Sequence, residues 1–84
     1  MDYRLLISID VVEFVERLPA RFRRAIRSAF ISIGEDPLGC ADDTDYDDSG
    51  RLLHITIVGD FALMYWIDEA DQHVKILDIH SADR

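Results

Sequence analysis

Two histidines stand in predicted strands, and imidazole is the side chain best suited to proton transfer near neutral pH. His54 and His80 are separated by 25 residues of mostly apolar sequence. Because the imidazole pKa lies close to neutrality, either ring could act as general acid or base, and two rings facing one cleft would form a minimal catalytic pair. Asp60 could orient one ring, while Arg51 or Arg84 could hold an anionic group beside them.

A structural interpretation competes with the catalytic one. His54 and Thr56 alternate with Leu53, Ile55 and Ile57. This period of two is typical of a strand with one apolar face against the core and one polar face in water. The alternation therefore predicts that His54 lies on the solvent face of the sheet, where it could simply be a polar surface residue.

The first half of the chain predicts one strand and a helical hairpin. The apolar run at 3–8 favours a strand. Asp10 and Glu13 have the spacing of a capping box at the start of a first helix. Pro19 suits the first turn of a second helix, and Gly34 is a suitable residue to end it.

The second half predicts a loop and then three strands. Residues 38–50 are rich in Asp, Gly and Ser and show neither helical nor strand period, so an exposed loop is expected. Three runs with strand character follow, at 52–58, 61–67 and 73–79. The predicted order is β-α-α-β-β-β, an α+β fold in which the helices pack on one face of a largely antiparallel sheet and the last three strands form an antiparallel meander.

The acidic loop has a partial likeness to a calcium site. Residues 45–50 place oxygen ligands at the first, third and fifth positions and Gly50 at the sixth, as in an EF-hand loop. The twelfth position is Thr56 where such a loop needs a bidentate Glu. We expect a solvated loop and no metal site or cofactor; the sequence leaves open whether residues 42–48 attract cations.

Composition and charge narrow the class of protein. A chain of 84 residues with 49% hydrophobic residues predicts a single domain over 1–84. The lone Cys40 excludes an intramolecular disulfide, and the charged residues interrupting the N-terminal apolar run disfavour a signal peptide or membrane span, so a cytoplasmic protein is expected. The net charge of −8 disfavours binding nucleic acid by broad electrostatic attraction.

Basic residues are concentrated on the second helix and just before it. We consider two interpretations equally: a solvated helix face, or a docking surface for an acidic segment of a partner protein. The candidate partner-binding residues are Arg17, Arg21, Arg24 and Arg27.

The order of elements and four short stretches resemble the RelE/ParE superfamily of toxins from bacterial type II toxin–antitoxin modules. The stretches are ERLP at 16–19, EDP at 35–37, VGDFALMY at 58–65 and ILDIHSAD at 76–83. The resemblance covers nearly the whole chain. It implies the RelE/ParE-like fold and a cognate antitoxin as partner.

Two functions follow from that resemblance. RelE-like members cleave mRNA in the ribosomal A site, whereas ParE-like members inhibit DNA gyrase without cutting RNA. The chain has Ala62 where RelE-like toxins often have an arginine, and Ser81 and Ala82 follow His80 in place of arginines. The phosphate clamp of a RelE-type site is therefore not expected.

A second branch, similar to YafQ, uses histidines and an acid. RLLHI at 51–55, Asp60 before the hairpin aromatic, and HS at 80–81 are similar to its motifs. This similarity implies an mRNA endoribonuclease in which His54, His80 and Asp60 are catalytic and Arg51 and Arg84 bind the substrate. The alternative is a ParE-like or catalytically degenerate homologue that acts by binding the antitoxin, gyrase or another protein.

Overall fold

The computed structural model describes residues 2–82, which form three helices and five strands. In these residues no helix has both the length and the apolar character needed to cross a membrane. The elements in chain order are β1 (Arg4–Ile7), α1 (Ile9–Glu16), α2 (Ala20–Glu35), α3 (Pro37–Cys40), β2 (Asp43–Tyr46), β3 (Leu52–Val58), β4 (Phe61–Asp68) and β5 (His73–Ser81).

The strands form one mixed sheet in the order β1-β5-β4-β3-β2. β1 is parallel to β5, and the other neighbours are antiparallel. One face of the sheet, here called the helix-covered face, packs its apolar side chains against α1 and α2. The buried cluster comprises Val11, Val15, Ile26, Ile33, Leu63, Tyr65, Val74, Ile76 and Ile79. The predicted α+β fold is confirmed, with four strands after the helices where three were expected.

The segment predicted as an exposed loop contains the additional elements. A short helix, α3, begins at Pro37, and Asp36 caps it by accepting a hydrogen bond from the backbone N–H of Gly39 at 3.0 Å. β2 then pairs with β3 along the sheet edge. The prediction of a loop over 38–50 was wrong because an edge strand with both faces polar lacks the apolar alternation by which strands are recognised.

The aspartates of β2 satisfy donors at the free edge. The N–H of Asp47 donates to the carbonyl of Arg51 at 3.0 Å. Because hydrogen-bonded pairs alternate along an antiparallel ladder, the N–H groups of Thr44 and Tyr46 face away from β3. Each donates to Oδ1 of the preceding aspartate at 2.8 Å. These aspartates thus occupy backbone N–H groups at the sheet edge with which another strand could otherwise pair.

The first helix begins earlier than the capping box predicted. The hydroxyl of Ser8 accepts a hydrogen bond from the N–H of Asp10 at 3.2 Å, so the helix starts at Ile9. The predicted start at Asp10 with Glu13 was wrong because serine is an equally good N-cap and stands two residues closer to β1.

Gly34 lies inside α2 and does not end it. Its carbonyl accepts a hydrogen bond from the N–H of Tyr3 at 2.8 Å, and a Cβ added there would lie 2.9 Å from Cδ1 of Leu5. The glycine therefore allows β1 to approach the helix closely, and the helix continues to Glu35.

A bulge interrupts the alternation of β5. Ile76 and Asp78 pair with consecutive residues of β4, which leaves Leu77 as an extra residue. Ile79 consequently faces the core, as Ile76 does, although three positions separate them. His80 then lies on the opposite face of the sheet, here called the open face.

Candidate functional site

His54 lies on the helix-covered face of β3, opposite Thr44 on one side and Tyr65 on the other. Only 6% of its surface is exposed. The prediction that this histidine faces solvent was wrong, although the period of two was correct. The polar side chains of β3 are those that α3 and the segment after it cover, while Leu53, Ile55 and Ile57 lie on the open face.

Burial favours the neutral form of His54. Removal from water lowers the pKa of the imidazole below its ordinary value of 6.5. The ring stacks on that of Tyr65, with centroids 5.6 Å apart and planes inclined by 23°. Its Nδ1 is buried and has no hydrogen-bond partner. A neutral, unpaired imidazole could accept a proton or a hydrogen bond, but nothing in the described structure orients it for catalysis.

A small network of hydrogen bonds beside His54 links β3 and β4 to α3. The hydroxyl of Tyr65 donates to the carbonyl of Pro37 at 2.6 Å. The hydroxyl of Thr56 donates to the carbonyl of Cys40 at 2.9 Å and lies 3.3 Å from the Tyr65 hydroxyl. Burial raises the pKa of Tyr65 above its ordinary value. Both hydroxyls tie α3 to the sheet, so these polar residues have a structural role.

His80 lies on the open face of β5, opposite Ala62 of β4. Its side chain is about half exposed, and Nδ1 lies 3.5 Å from the Asp78 carboxylate, two positions earlier on the same face. The side chain that stands beside His80 is therefore Asp78, which sequence reasoning did not identify.

The structure does not bring His54 and His80 together. Their partners on β4 are Tyr65 and Ala62, three residues apart, and β4 lies between the two strands that carry the histidines. With about 3.4 Å per residue and 4.8 Å between strands, the two Cα atoms are roughly 14 Å apart. The side chains also lie on opposite faces of the sheet, whereas a general acid and base for one phosphodiester must both reach it.

The remaining predicted site residues are dispersed. Asp60 lies in the exposed β3–β4 turn beside Gly59, which has a φ of 59°. The carbonyl of Asp60 accepts a hydrogen bond from the N–H of Ala82 at 2.7 Å, so the turn and the tail meet at one end of the sheet. Arg84 lies outside the described residues.

Arg51 belongs to a cluster at the other end of the open face. Its guanidinium lies 4.2 Å from the ring centroid of Trp66, and Nζ of Lys75 lies 4.7 Å from the same centroid. Each cation also has an acidic neighbour, Asp47 at 3.8 Å for Arg51 and Asp68 at 3.7 Å for Lys75. The predicted substrate-binding arginine is therefore already engaged by an aromatic ring and a carboxylate.

Apolar side chains occupy the middle of the open face. By the alternation and register of β3 and β4, they are Leu53, Ile55, Ile57, Ala62 and Met64, of which Leu53 and Ala62 are buried and Ile57 is exposed. Catalysis at a phosphodiester requires positive charge or hydrogen-bond donors at the phosphate. In the part of the chain that the structure describes, this surface offers neither.

The four arginines predicted as a docking surface are exposed. Nη2 of Arg27 lies 2.8 Å from Oε2 of Glu16 in an ion pair between α2 and α1.

Residues 2–82 contain no group of three or more His, Cys, Asp or Glu side chains placed to hold a metal ion. Asp43, Asp45 and Asp47 instead accept hydrogen bonds from backbone N–H groups of β2 and of the turn that follows it.

Comparison with solved structures identifies the fold. The chain superposes on an archaeal RelE–RelB complex from Pyrococcus horikoshii with a TM-score of 0.85 and 23% identity, over 100% of this chain and 99% of that one. A toxin–antitoxin complex from Mycobacterium tuberculosis gives 0.81 and 21%, over 96% and 99%. The isolated RelE toxin of E. coli gives 0.77 and 14%, over 98% and 86%.

Sequence comparisons add nothing to this result. No protein-family model matches the chain, and no curated protein matches it. The similarity to the YafQ-like branch stays a prediction. The structural matches extend over nearly the whole chain, and the chain therefore has the fold of the RelE toxins.

Proposed function

We propose that this chain is the RelE-like member of a toxin–antitoxin pair, and that it acts by binding protein without cleaving RNA. The fold supports the first part, since several solved structures that share it are complexes of a toxin with its antitoxin. The open face supports the second part. Ile57 is exposed there and Ile55 and Met64 are partly exposed, which is apolar area of the kind that a protein partner binds, and among the described residues this part of the face has no cation to hold a phosphate.

The exposed arginines of the helical hairpin are the proposed docking surface for an acidic segment of the antitoxin. The chain as a whole is strongly acidic, with a net charge of −8. A basic patch on such a protein is the surface that attracts an acidic partner, and electrostatic steering raises the rate of that encounter. The residues concerned are Arg17, Arg21, Arg24 and Arg27.

The first experiment separates binding from cleavage. The wild type, His80→Ala and His54→Gln are induced in growing cells, and mRNA 5′ ends are mapped by primer extension. His73→Ala is the matched control, because His73 lies at the opposite end of β5 from His80. We expect no new 5′ ends in any strain. New ends that disappear in both the His80 and His54 variants, but not in the control, would establish the ribonuclease instead.

A second experiment tests the partner. The chain is co-expressed with the protein encoded beside it, and the complex is purified through a tag on that protein. Arg21→Glu with Arg24→Glu should reduce recovery of the complex at least several-fold, while Arg4→Glu on the edge strand β1 should not. Equal recovery of all forms would remove the arginines from the interface.

A further inference from the structure

The open face has two halves of different character. In the half near the β4–β5 turn, Arg51 and Lys75 lie over Trp66, and each has an acidic neighbour. In the other half, four apolar side chains of β3 and β4 form a surface here called the apolar strip. They are Ile55, Ile57, Ala62 and Met64. Exposure in the strip is greatest at Ile57, 47%, since the helices pack on the opposite face.

Carboxylates border the apolar strip on two sides. On one side, Asp43 of β2 pairs with Ile55. On the other side, Asp78 of β5 pairs with Met64, and Met64 in turn pairs with Ile55. The four residues form one row across the open face, because paired side chains point to the same face of a sheet. With about 4.8 Å between neighbouring strands, the Cα atoms of the two aspartates are roughly 14 Å apart.

Both carboxylates can still accept hydrogen bonds from a partner. In Asp43 and in Asp78, Oδ1 accepts a hydrogen bond from the N–H of the next residue, at 2.8 and 2.9 Å. A carboxylate has about four acceptor sites, so this bond leaves each able to bind a cation. Within residues 2–82, neither carboxylate forms an ion pair with an arginine or a lysine. The negative charge on the two borders is therefore available to a partner.

The backbone of β3 and β4 restricts the conformation of a segment that lies on the apolar strip. Both strands have neighbours on each side, so their backbone groups are used within the sheet. A partner segment on this face must therefore satisfy its own backbone N–H and carbonyl groups. A helix does so internally, whereas an isolated extended segment does not.

We propose that the apolar strip binds an amphipathic helix of a partner protein, with lysine or arginine on both borders of its apolar stripe. A helix with its side chains is about 10–12 Å across, which fits between carboxylates roughly 14 Å apart. Its apolar stripe covers Ile57 and Met64, and its basic side chains reach Asp43 on one border and Asp78 on the other. The inference rests on the proposed function, in which the open face binds protein, and it specifies the chemistry of that partner.

The sign of the charge separates this partner segment from the acidic one proposed at the helical hairpin. Like charges placed opposite each other at an interface oppose binding, whereas opposite charges set its orientation. The apolar strip with its two aspartates therefore disfavours an acidic helix, and the exposed arginines of the hairpin disfavour a basic one. The two surfaces select different segments.

Methyl nuclear magnetic resonance of the full chain tests the proposal. The probe is a blocked amphipathic peptide of about 18 residues, in which lysines border a stripe of leucine and alanine on both sides. We expect saturable shifts of the methyl groups of Ile55, Ile57 and Met64. The methyl groups of Ile31, which is 65% exposed on α2, should stay in place. Equal shifts at Ile31, or no shift at any of the four residues, would overturn the proposal.

A second peptide tests the charge of the partner. It has glutamate at every lysine position of the first peptide and is otherwise identical. We expect it to leave the methyl groups of Ile55, Ile57 and Met64 unshifted. If it binds the apolar strip as tightly as the basic peptide does, charge complementarity is absent and the proposal is wrong.

A matched pair of double variants tests the two carboxylates. Asp43→Asn with Asp78→Asn should weaken binding of the basic peptide at least threefold. Asp48→Asn with Asp71→Asn should not, because these residues lie in exposed turns outside the row and their replacement changes the net charge equally. Equal affinities of the two double variants would remove the carboxylates from the interface.

A further matched pair tests the apolar contact. Ile57→Lys should weaken binding of the basic peptide at least tenfold, since it removes the most exposed apolar side chain of the strip and adds a like charge. Ile31→Lys makes the same replacement on α2 and should have no effect. Circular dichroism checks that both variants are folded. Equal affinities of the two folded variants would contradict the proposal.

A second copy of the chain is the competing occupant, because α2 itself has exposed arginines. Methyl shifts at Ile57 that grow with the concentration of the chain alone, without peptide, would identify that occupant and overturn the proposal. Failure of the basic peptide would reject only the helix on the open face. Recovery of the antitoxin complex and mapping of mRNA 5′ ends test the proposed function independently.

Discussion

The phenolic hydroxyl of Tyr65 donates a 2.6 Å hydrogen bond to the backbone carbonyl of Pro37, which joins the central strand to the first residue of α3. Tyr65 is fully buried, and Pro37 is buried as well. The bond connects the segment that covers His54 to β4, the central strand of the sheet. The cover over His54 therefore depends on it.

Removal of that hydroxyl should therefore destabilise the fold. Tyr65→Phe leaves the Pro37 carbonyl buried without a donor, which typically costs about 1–3 kcal/mol of unfolding free energy. Tyr46→Phe is the control, since Tyr46 is 68% exposed on the edge strand. Urea unfolding of both variants and the wild type measures the difference. Equal midpoints for Tyr65→Phe and the wild type would show that the hydrogen bond contributes no net stability.

The lowered pKa of His54 predicts a pH dependence of stability. Well above pH 6.5 the ring is neutral in both the folded and the unfolded chain, so its titration then has no effect on the free energy of unfolding. As the pH falls below 6.5 the unfolded chain takes up a proton at this residue before the folded chain does, so stability decreases. His54→Gln should remove that part of the decrease between pH 7.5 and 5.5.

The control for this titration is His80→Gln, because His80 is half exposed and lies on the other face. Urea midpoints at the two pH values are compared for the wild type and both variants. The His80 variant should lose stability between pH 7.5 and 5.5 as the wild type does. A His54 variant that loses as much stability as the wild type would show that His54 is not the responsible group.

Asp47 should organise the turn between β2 and β3. Its Oδ1 accepts hydrogen bonds from the N–H groups of Ser49 and Arg51, both at 2.9 Å, and from the Ser49 hydroxyl at 2.7 Å. These bonds lower the pKa of the carboxyl below its ordinary value of 3.8, with the Ser49 hydroxyl as the largest cause. The stabilisation is thus present above pH 3.8 and is lost as the pH falls through the lower folded pKa.

Amide hydrogen exchange tests this role of Asp47. Asp47→Ala should speed exchange at Ser49 and Arg51, whereas Asp47→Asn, which keeps an acceptor oxygen, should speed it less. Asp48→Ala, at the neighbouring exposed position, should leave both rates unchanged. If Asp47→Ala exchanges as slowly as the wild type, the carboxylate does not order the turn.

The cations over Trp66 give a spectroscopic prediction. Trp66 is the sole tryptophan of the chain, so its emission reports directly on this cluster. Arg51→Ala removes the guanidinium 4.2 Å from the ring centroid and opens that side of the ring to water. We expect a red shift of the emission and a loss of up to about 1 kcal/mol in stability. Arg51→Lys should shift the emission less, and an unchanged spectrum for Arg51→Ala would contradict the contact.

The sequence predicted the helices and strands in which apolar residues recur with a clear period. It failed where polar side chains are buried or where a strand buries neither of its faces. Leu53 and Ile55 alternate with His54 and Thr56, and the strand was predicted correctly from that pattern. Its two faces were assigned the wrong way round, because α3 covers the polar side chains and no pattern within β3 reveals that cover. β2 was missed since it buries neither face, although the turn residues before Gly50 are a signal that a hairpin could begin there.

The candidate site was less predictable than the fold. His54 and His80 were paired because both residues lie in strands, but their relative position depends on the order of strands in the sheet and on one extra residue in β5. Strand order is a property of the whole chain, and no local pattern records it. Residues 42–46 were assigned to a solvated loop, and the place of Thr44 opposite His54 follows only from the pairing of β2 with β3.

The bulge at Leu77 acts as a frameshift in the inside–outside alternation of the last strand. Before it, side chains at even positions point to the helices, and after it those at odd positions do. If Leu77 were paired as a regular strand residue, His80 and Asp78 would turn toward the helices and Ile79 toward the open face, whereas deletion of Leu77 would let Asp78 follow Ile76 directly and would keep all three side chains on their present faces. The bulge therefore absorbs one surplus residue, and the end of β5 presents the same side chains to each face that a regular strand one residue shorter would present.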